Sequence, residues 1–217
     1  MKKIKRRRFL QGLSAGVAGG LTGWIQQVLA AEPKSLPQGI TRIRGEVKVN
    51  GALARKGTPI NYGDVVTTGA GAHAVYVFGD NAFLQRANSQ VDFGDSAVAT
   101  FLRVVTGGLL AVFGKGKRQL ATPVATIGIR GTGCYIETEA SRSYFCLCFG
   151  EVDLQPRNGQ MLSYATKQHE RPVWIENGAT SPAKVVNHTD AEIIMLEALV
   201  GRRSPFPPAT RKSGRGY

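Results

Sequence analysis

Cys134, Cys146, Cys148, His73, His169 and His188 are the side chains of this sequence best suited to ligand or thiol chemistry. Thiolate and imidazole together suit zinc, iron or copper by ligand type, whereas thiols alone suit a disulfide. Cys146 and Cys148 stand one residue apart in SYFCLCFGEV, residues 143–152, and the odd cysteine count leaves at least one thiol without an intramolecular cysteine partner. On a strand, Tyr144, Cys146 and Cys148 share one face, and Phe145, Leu147 and Phe149 the other. Residues two apart on a strand have Cα atoms ~6.5–7 Å apart, near or beyond what a disulfide spans. Cys134 belongs to the preceding strand. An even register across the turn at Glu139–Ser143 puts all three thiols on one face, so that Cys134 can bridge to Cys146 or Cys148; an odd register turns Cys134 away. The alternative is a metal site drawn from Cys134, Cys146, Cys148, His169 and His188. His73 sits in a GAGAH turn and is the weaker ligand candidate. Each residue also has a plain role: small thiols packed in a core, and His188 as a polar residue before a helix.

The elements that must position these residues read as β. GEVKVNGALAR has Val47 and Val49 followed by Asn50-Gly51, a two-residue hairpin signal. AVYVFGDNAFLQR alternates around a turn at Gly79–Asn81, and LRVVTGGLLAVF places a further turn at Gly107-Gly108. ATPVATIGIRGTGCYIETEASRSYFCLCFGEVDL supplies two more strands, with Gly131 and Gly133 marking a bulge or a close backbone approach. Near the end, Thr189-Asp190-Ala191-Glu192 is a capping box, and Ile193, Leu196 and Val200 follow at helical spacing before Gly201. The expected fold is all-β, an antiparallel sandwich or roll with one short C-terminal helix over 190–200 and a disordered basic tail over 201–217.

Compartment and charge bound the function. Residues 1–8 hold six cations, and an apolar stretch from Phe9 to Ile25 leads to Ala30 and Ala31. That is the plan of an export signal, with cleavage near Ala30/Ala31, and its apolar part is short for a bilayer span. RRRFLQ resembles the twin-arginine export signal, with Arg6, Arg7, Phe9 and Leu10 as the matching residues; the resemblance implies delivery of a folded chain, by the twin-arginine machinery, to the periplasm. Disulfides persist there. The formal net charge is +13. Taking away the six cations of residues 1–30 leaves +7, and the five of Gly201–Tyr217 leave +2. Apart from the short run KGKR at 115–118, which reads as a solvated hairpin turn, the body shows no basic patch of the kind nucleic acid requires.

Residues 45–153 resemble the FecR domain of bacterial envelope signalling proteins. GEVKVNG, GTPINYGDVVTTGAGAHAVYVFGDNAFLQRANSQVDF, a hydrophobic strand with GGLL, ATPVATIGIRGTGCYIE and CFGEVDL carry the resemblance, in that order. It implies a non-catalytic periplasmic β module that binds an envelope protein, a glycan or a small ligand. In the best-known members the domain relays a receptor's state through one membrane helix to a cytoplasmic segment that controls a sigma factor. This sequence shows neither that helix nor that segment, so the relay is not carried over. The resulting organisation is an export signal over 1–30, a linker over 31–44, a FecR-like β domain over 45–155, a C-terminal extension over 156–200 and the basic tail.

No catalytic residues are assigned. GIRGTG lies between strands and not at a helix start, so it lacks the terminus a phosphate cradle needs. The carboxylates are scattered, and nothing in the sequence alone joins a thiol to a histidine as nucleophile and base. The expectation is a signalling or binding accessory with no cofactor, or else an envelope protein that holds zinc, iron or copper on the same β domain.

Overall fold

The computed structural model describes residues 38–96 and 100–207. The export signal with Arg6, Arg7, Phe9 and Leu10, the first half of the linker (31–37) and residues 97–99 and 208–217 lie outside the described residues.

Among the described residues fourteen strands and one helix follow one another: β1 (Gly39–Arg44), β2 (Val47–Val49), β3 (Ala52–Leu53), β4 (Val65–Thr68), β5 (His73–Phe78), β6 (Asn81–Gln85), β7 (Gln90–Phe93), β8 (Thr100–Val112), β9 (Lys117–Ala121), β10 (Ala125–Thr138), β11 (Arg142–Pro156), β12 (Leu162–Thr166), β13 (Val173–Glu176), β14 (Ala179–Pro182) and α1 (Asp190–Leu199). The hairpin expected at Asn50-Gly51 joins β2 to β3, and both residues have the positive φ of a type I′ turn (51° and 79°). Helix α1 starts where the capping box predicts: Glu192 N–H donates to Thr189 Oγ1, and the Glu192 carboxylate accepts from Thr189 N–H.

The long strands β8, β10 and β11 each serve two layers. Their C-terminal (β8, β10) and N-terminal (β11) parts build a layer in the order β1–β5–β6–β8–β10–β11–β13–β14. Their other parts join β3, β2, β4, β7, β9 and β12 in a second layer. Gly107, Gly131 and Gly150, all with positive φ, lie within these long strands at the passage between layers. The turn expected at Gly107-Gly108 is therefore a bend within one strand. A glycine pair relieves backbone sterics equally for a turn or a bend. Because β8 bends there, its first half runs beside β9 in parallel, the exception in an otherwise antiparallel network.

Two apolar clusters result. One fills the space between the layers, with Tyr76, Phe83, Phe93, Phe101, Ile127, Ile136, Phe145 and Leu147 among its members. The other lies on the far face of the first layer, where Ile193, Met195, Leu196 and Leu199 of α1 cover Val75, Val77, Leu84, Leu110 and Val112. At about 25 cal/mol per Å² of apolar surface, this cover supplies most of the attraction that holds the helix. The chain after α1 stays packed. Arg202 Nε donates to the buried Glu197 at 2.6 Å, and Phe206 is buried. Disorder expected from residue 201 thus does not apply to residues 201–207, because one cation and one aromatic ring find partners on the helix and on β11. No helix among the described residues is long and apolar enough to cross a membrane.

Candidate metal centre

Strand β11 alternates as its sequence predicts. Phe145 and Leu147 enter the inter-layer core, while Tyr144, Cys146 and Cys148 face the helix-covered cluster. Cys134 does not join them. A bulge at Gly133 shifts the pairing of β10 with β11, so that Cys134 lies opposite Leu147 and Tyr135 opposite Cys146. This is the odd register: it turns Cys134 into the inter-layer core, and the expected bridge to Cys146 or Cys148 is not formed. The bulge has a local cause. A Cβ at Gly133 would collide with the Phe149 ring, so only glycine lets that ring lie across the strand.

The two histidines come from the C-terminal extension. His169 lies between β12 and β13 with φ +48°, and its backbone N–H donates to Cys148 O at 3.1 Å. His188 immediately precedes the N-cap Thr189. One ligand atom from each of Cys146, Cys148, His169 and His188 falls within 4.8 Å of all the others. Cys146 Sγ is 3.4 Å from His169 Nδ1, and His169 Nδ1 is 3.1 Å from His188 Nε2. A tetrahedral ion with bonds of about 2.0–2.1 Å to nitrogen and about 2.3 Å to sulfur sets these separations near 3.3 Å (N···N) and 3.5 Å (S···N). His73 opens β5 and is not among the four.

The outer nitrogens of both rings are committed. His188 Nδ1 is 2.6 Å from Val186 O, which only accepts, so Nδ1 carries the proton and Nε2 presents a lone pair. His169 Nε2 is 2.9 Å from the Asp190 carboxylate, which is held in turn by Gln168. Neutral His169 then also presents its Nδ1 lone pair inward, toward that of His188. Two lone pairs at 3.1 Å repel, and only a proton or a cation between them relieves the contact. Fixing ligand tautomers with a carboxylate and a backbone carbonyl is how metal-binding histidines are oriented.

Without a cation, protons take that place. A hydrogen bond from Cys148, with others from His169 and His188, pulls Cys146 down to about 3 against its burial, whereas burial drives Cys148 well up. Burial disfavours charge on His169, but Cys146 and Asp190 outweigh it and raise its pKa. Both sulfurs are fully buried. Tyr135 stacks on His188 at 4.8 Å, and Phe206 on His169 at 5.4 Å.

Sequence reasoning identified all four convergent residues and included Cys134, which the register removes. It missed Asp190, Tyr135 and Phe206. Asp190 carried one signal: it follows His188 by two residues and opens a helix, which places its carboxylate beside whatever precedes the cap.

Comparison with known proteins gives the chain its family context. Residues 64–153 match the family model described as FecR protein. Two crystal structures of a candidate anti-sigma factor from Parabacteroides distasonis align with TM-scores of 0.47 and 0.46 at 10% identity, over 55% of this chain and 58% of that one. The chain thus spans under two thirds of the length of that protein. No curated protein matches.

Proposed function

We propose that this protein is a non-catalytic, FecR-type signalling accessory of the bacterial envelope that holds one transition-metal ion in a Cys2His2 site. The observation that carries the metal reading is the convergence of Cys146, Cys148, His169 and His188 within 4.8 Å. The outer acceptors at Asp190 and Val186 support it, because they aim two lone pairs at one point. The FecR match over residues 64–153 supports the accessory role. Location in the periplasm rests on the twin-arginine-like residues 6–10.

Cys146, His169 and Asp190 also form a thiol–imidazole–carboxylate line, the order of a nucleophile, its base and an orienting group. Burial argues against catalysis: a nucleophile needs access, and Cys146 has 0% exposure. A second sulfur and a second imidazole on the same point have no part in that chemistry, whereas four closed ligands are the mark of a structural metal site.

The test is elemental analysis of the full chain purified after export by its own signal, with thiol alkylation and intact mass. About one equivalent of metal is expected, absent from Cys148→Ser. A metal-free protein with free thiols, or a Cys148→Ser variant that keeps its metal, overturns the assignment. Cell fractionation tests the location, and a cytoplasmic chain would contradict it.

A further inference from the structure

We infer that the bound metal is the ligand this accessory senses, and that its occupancy is read out by docking or release of the C-terminal arm that carries His188 and α1, residues 183–207. This inference rests on the Cys2His2 reading above. Its first support is where the ligands come from. Cys146 and Cys148 lie within the FecR-matching residues 64–153, whereas His169, His188 and Asp190 lie beyond them. The site is therefore a seam: no ion can be fully ligated unless the arm lies on the sheet.

The second support is leverage. His188 abuts the N-cap of α1, and Asp190 is the first residue of the helix. A bond at His188 Nε2 fixes the start of α1, and α1 is the element that covers Val75, Val77, Leu84, Leu110 and Val112. His169 lies nineteen positions earlier, so one ion draws together both ends of the β13–β14 hairpin and pins them to β11. Strand pairing of β12 and β13 with β11 keeps residues 162–176 on the sheet whether or not an ion is bound. The segment that can lift is therefore 183–207, held by the apolar face of α1 and by polar contacts that include Arg86 to Glu192 and to Asn187 O, Asn187 to Glu137, and Tyr144 to Lys184 O. Water competes for such contacts once the seam opens.

The third support concerns the kind of ion. Two thiolates and two neutral imidazoles carry a charge of −2, so a divalent ion leaves the buried core neutral and a monovalent ion leaves it negative. Burying net charge is costly. A closed set of two sulfurs and two nitrogens, with the Cys146–His169 and His169–His188 separations at 3.4 and 3.1 Å, suits zinc among the divalent ions, since zinc imposes no other geometry. The chemical class sensed is thus a zinc-like divalent ion, and loss of the ion leaves two converging lone pairs where there was a bond.

Hydrogen exchange on the full chain, with and without a zinc chelator, tests this. With free zinc at a hundred times its dissociation constant before chelation, the α1 amides are expected to exchange about 100-fold faster afterwards. Amides of β5 and the C-terminal half of β8 should be unchanged. Stoichiometric zinc with arm exchange altered less than twofold overturns the sensing inference and leaves the metal site standing. A rise across the whole chain overturns it too, because the ion is then a folding staple. No zinc uptake at all removes the metal reading and the inference with it. His188→Ala, or Cys148→Ser should that variant not fold, is expected to show fast arm exchange whether or not zinc is added; slow exchange in a folded variant contradicts the clasp.

Discussion

Replacing Asp190 separates an oriented ligand from a merely nearby histidine. The carboxylate accepts from His169 Nε2 at 2.9 Å and sets which nitrogen faces the thiols. Outer partners of this kind are worth about 10–100-fold in metal affinity. The local geometry places the two variants at opposite ends of that range. In Asp190→Asn the side-chain oxygen still accepts the proton, so the tautomer is kept and only the charge is lost; about tenfold weaker binding is expected, ~1.4 kcal/mol. In Asp190→Ala no acceptor remains. Asp190 is 40% exposed, so water replaces it without fixing the ring, and the loss should approach about 100-fold, ~2.7 kcal/mol. Both variants also remove an acid from the first turn of α1, an effect of ~0.3–1 kcal/mol on stability. Chelator competition measures the affinity, and melting of the metal-free protein measures the helix effect separately. The reasoning is refuted if both variants bind metal within twofold of the parent, or if the affinity loss only equals the loss of stability in the metal-free chain.

Three further outcomes follow from the packing. Cys134→Ala should keep a full equivalent of metal and lose only about 1 kcal/mol of stability to the small cavity, because Cys134 faces the inter-layer core; metal analysis checks this, and loss of metal would return Cys134 to the site. Gly133→Ala should lower stability by ~1–3 kcal/mol in thermal melts, since the new Cβ meets the Phe149 ring at the bulge; an unchanged melt would mean the bulge has another cause. Arg86→Met should cost roughly 2–3 kcal/mol in denaturant unfolding, somewhat under the ~3–5 kcal/mol of a fully buried pair because Arg86 retains 24% exposure. It leaves Glu192 without its bidentate partner, so a change below about 0.5 kcal/mol would show the pair to be solvated.

Much of the fold was legible because its signals are local. Asn50-Gly51 states a hairpin through backbone sterics alone, and Thr189–Glu192 states a helix start through its own hydrogen bonds. The features that misled depend on distant partners. Gly107-Gly108 has the composition of a turn, yet which part of β8 meets β9 and which meets β6 and β10 is decided by layers that no short window contains. The face taken by Cys134 depends on one residue of register, set by a ring sixteen positions away in the chain. The histidines could be named but not placed, since a loop and the residue before a cap carry no periodicity. Phe206 was hidden in a stretch whose charge and prolines read as tail, although a single ring against His169 and Phe149 holds it.

X-ray absorption at the edge of the bound metal tests the central claim most directly. The account predicts a first shell of two sulfur scatterers near 2.3 Å and two nitrogens near 2.0 Å, with the outer-shell signature of imidazole. A shell of nitrogen and oxygen alone, or one with three sulfurs, would contradict it: the first would leave the cysteines as core packing, and the second would bring Cys134 back across the sheet.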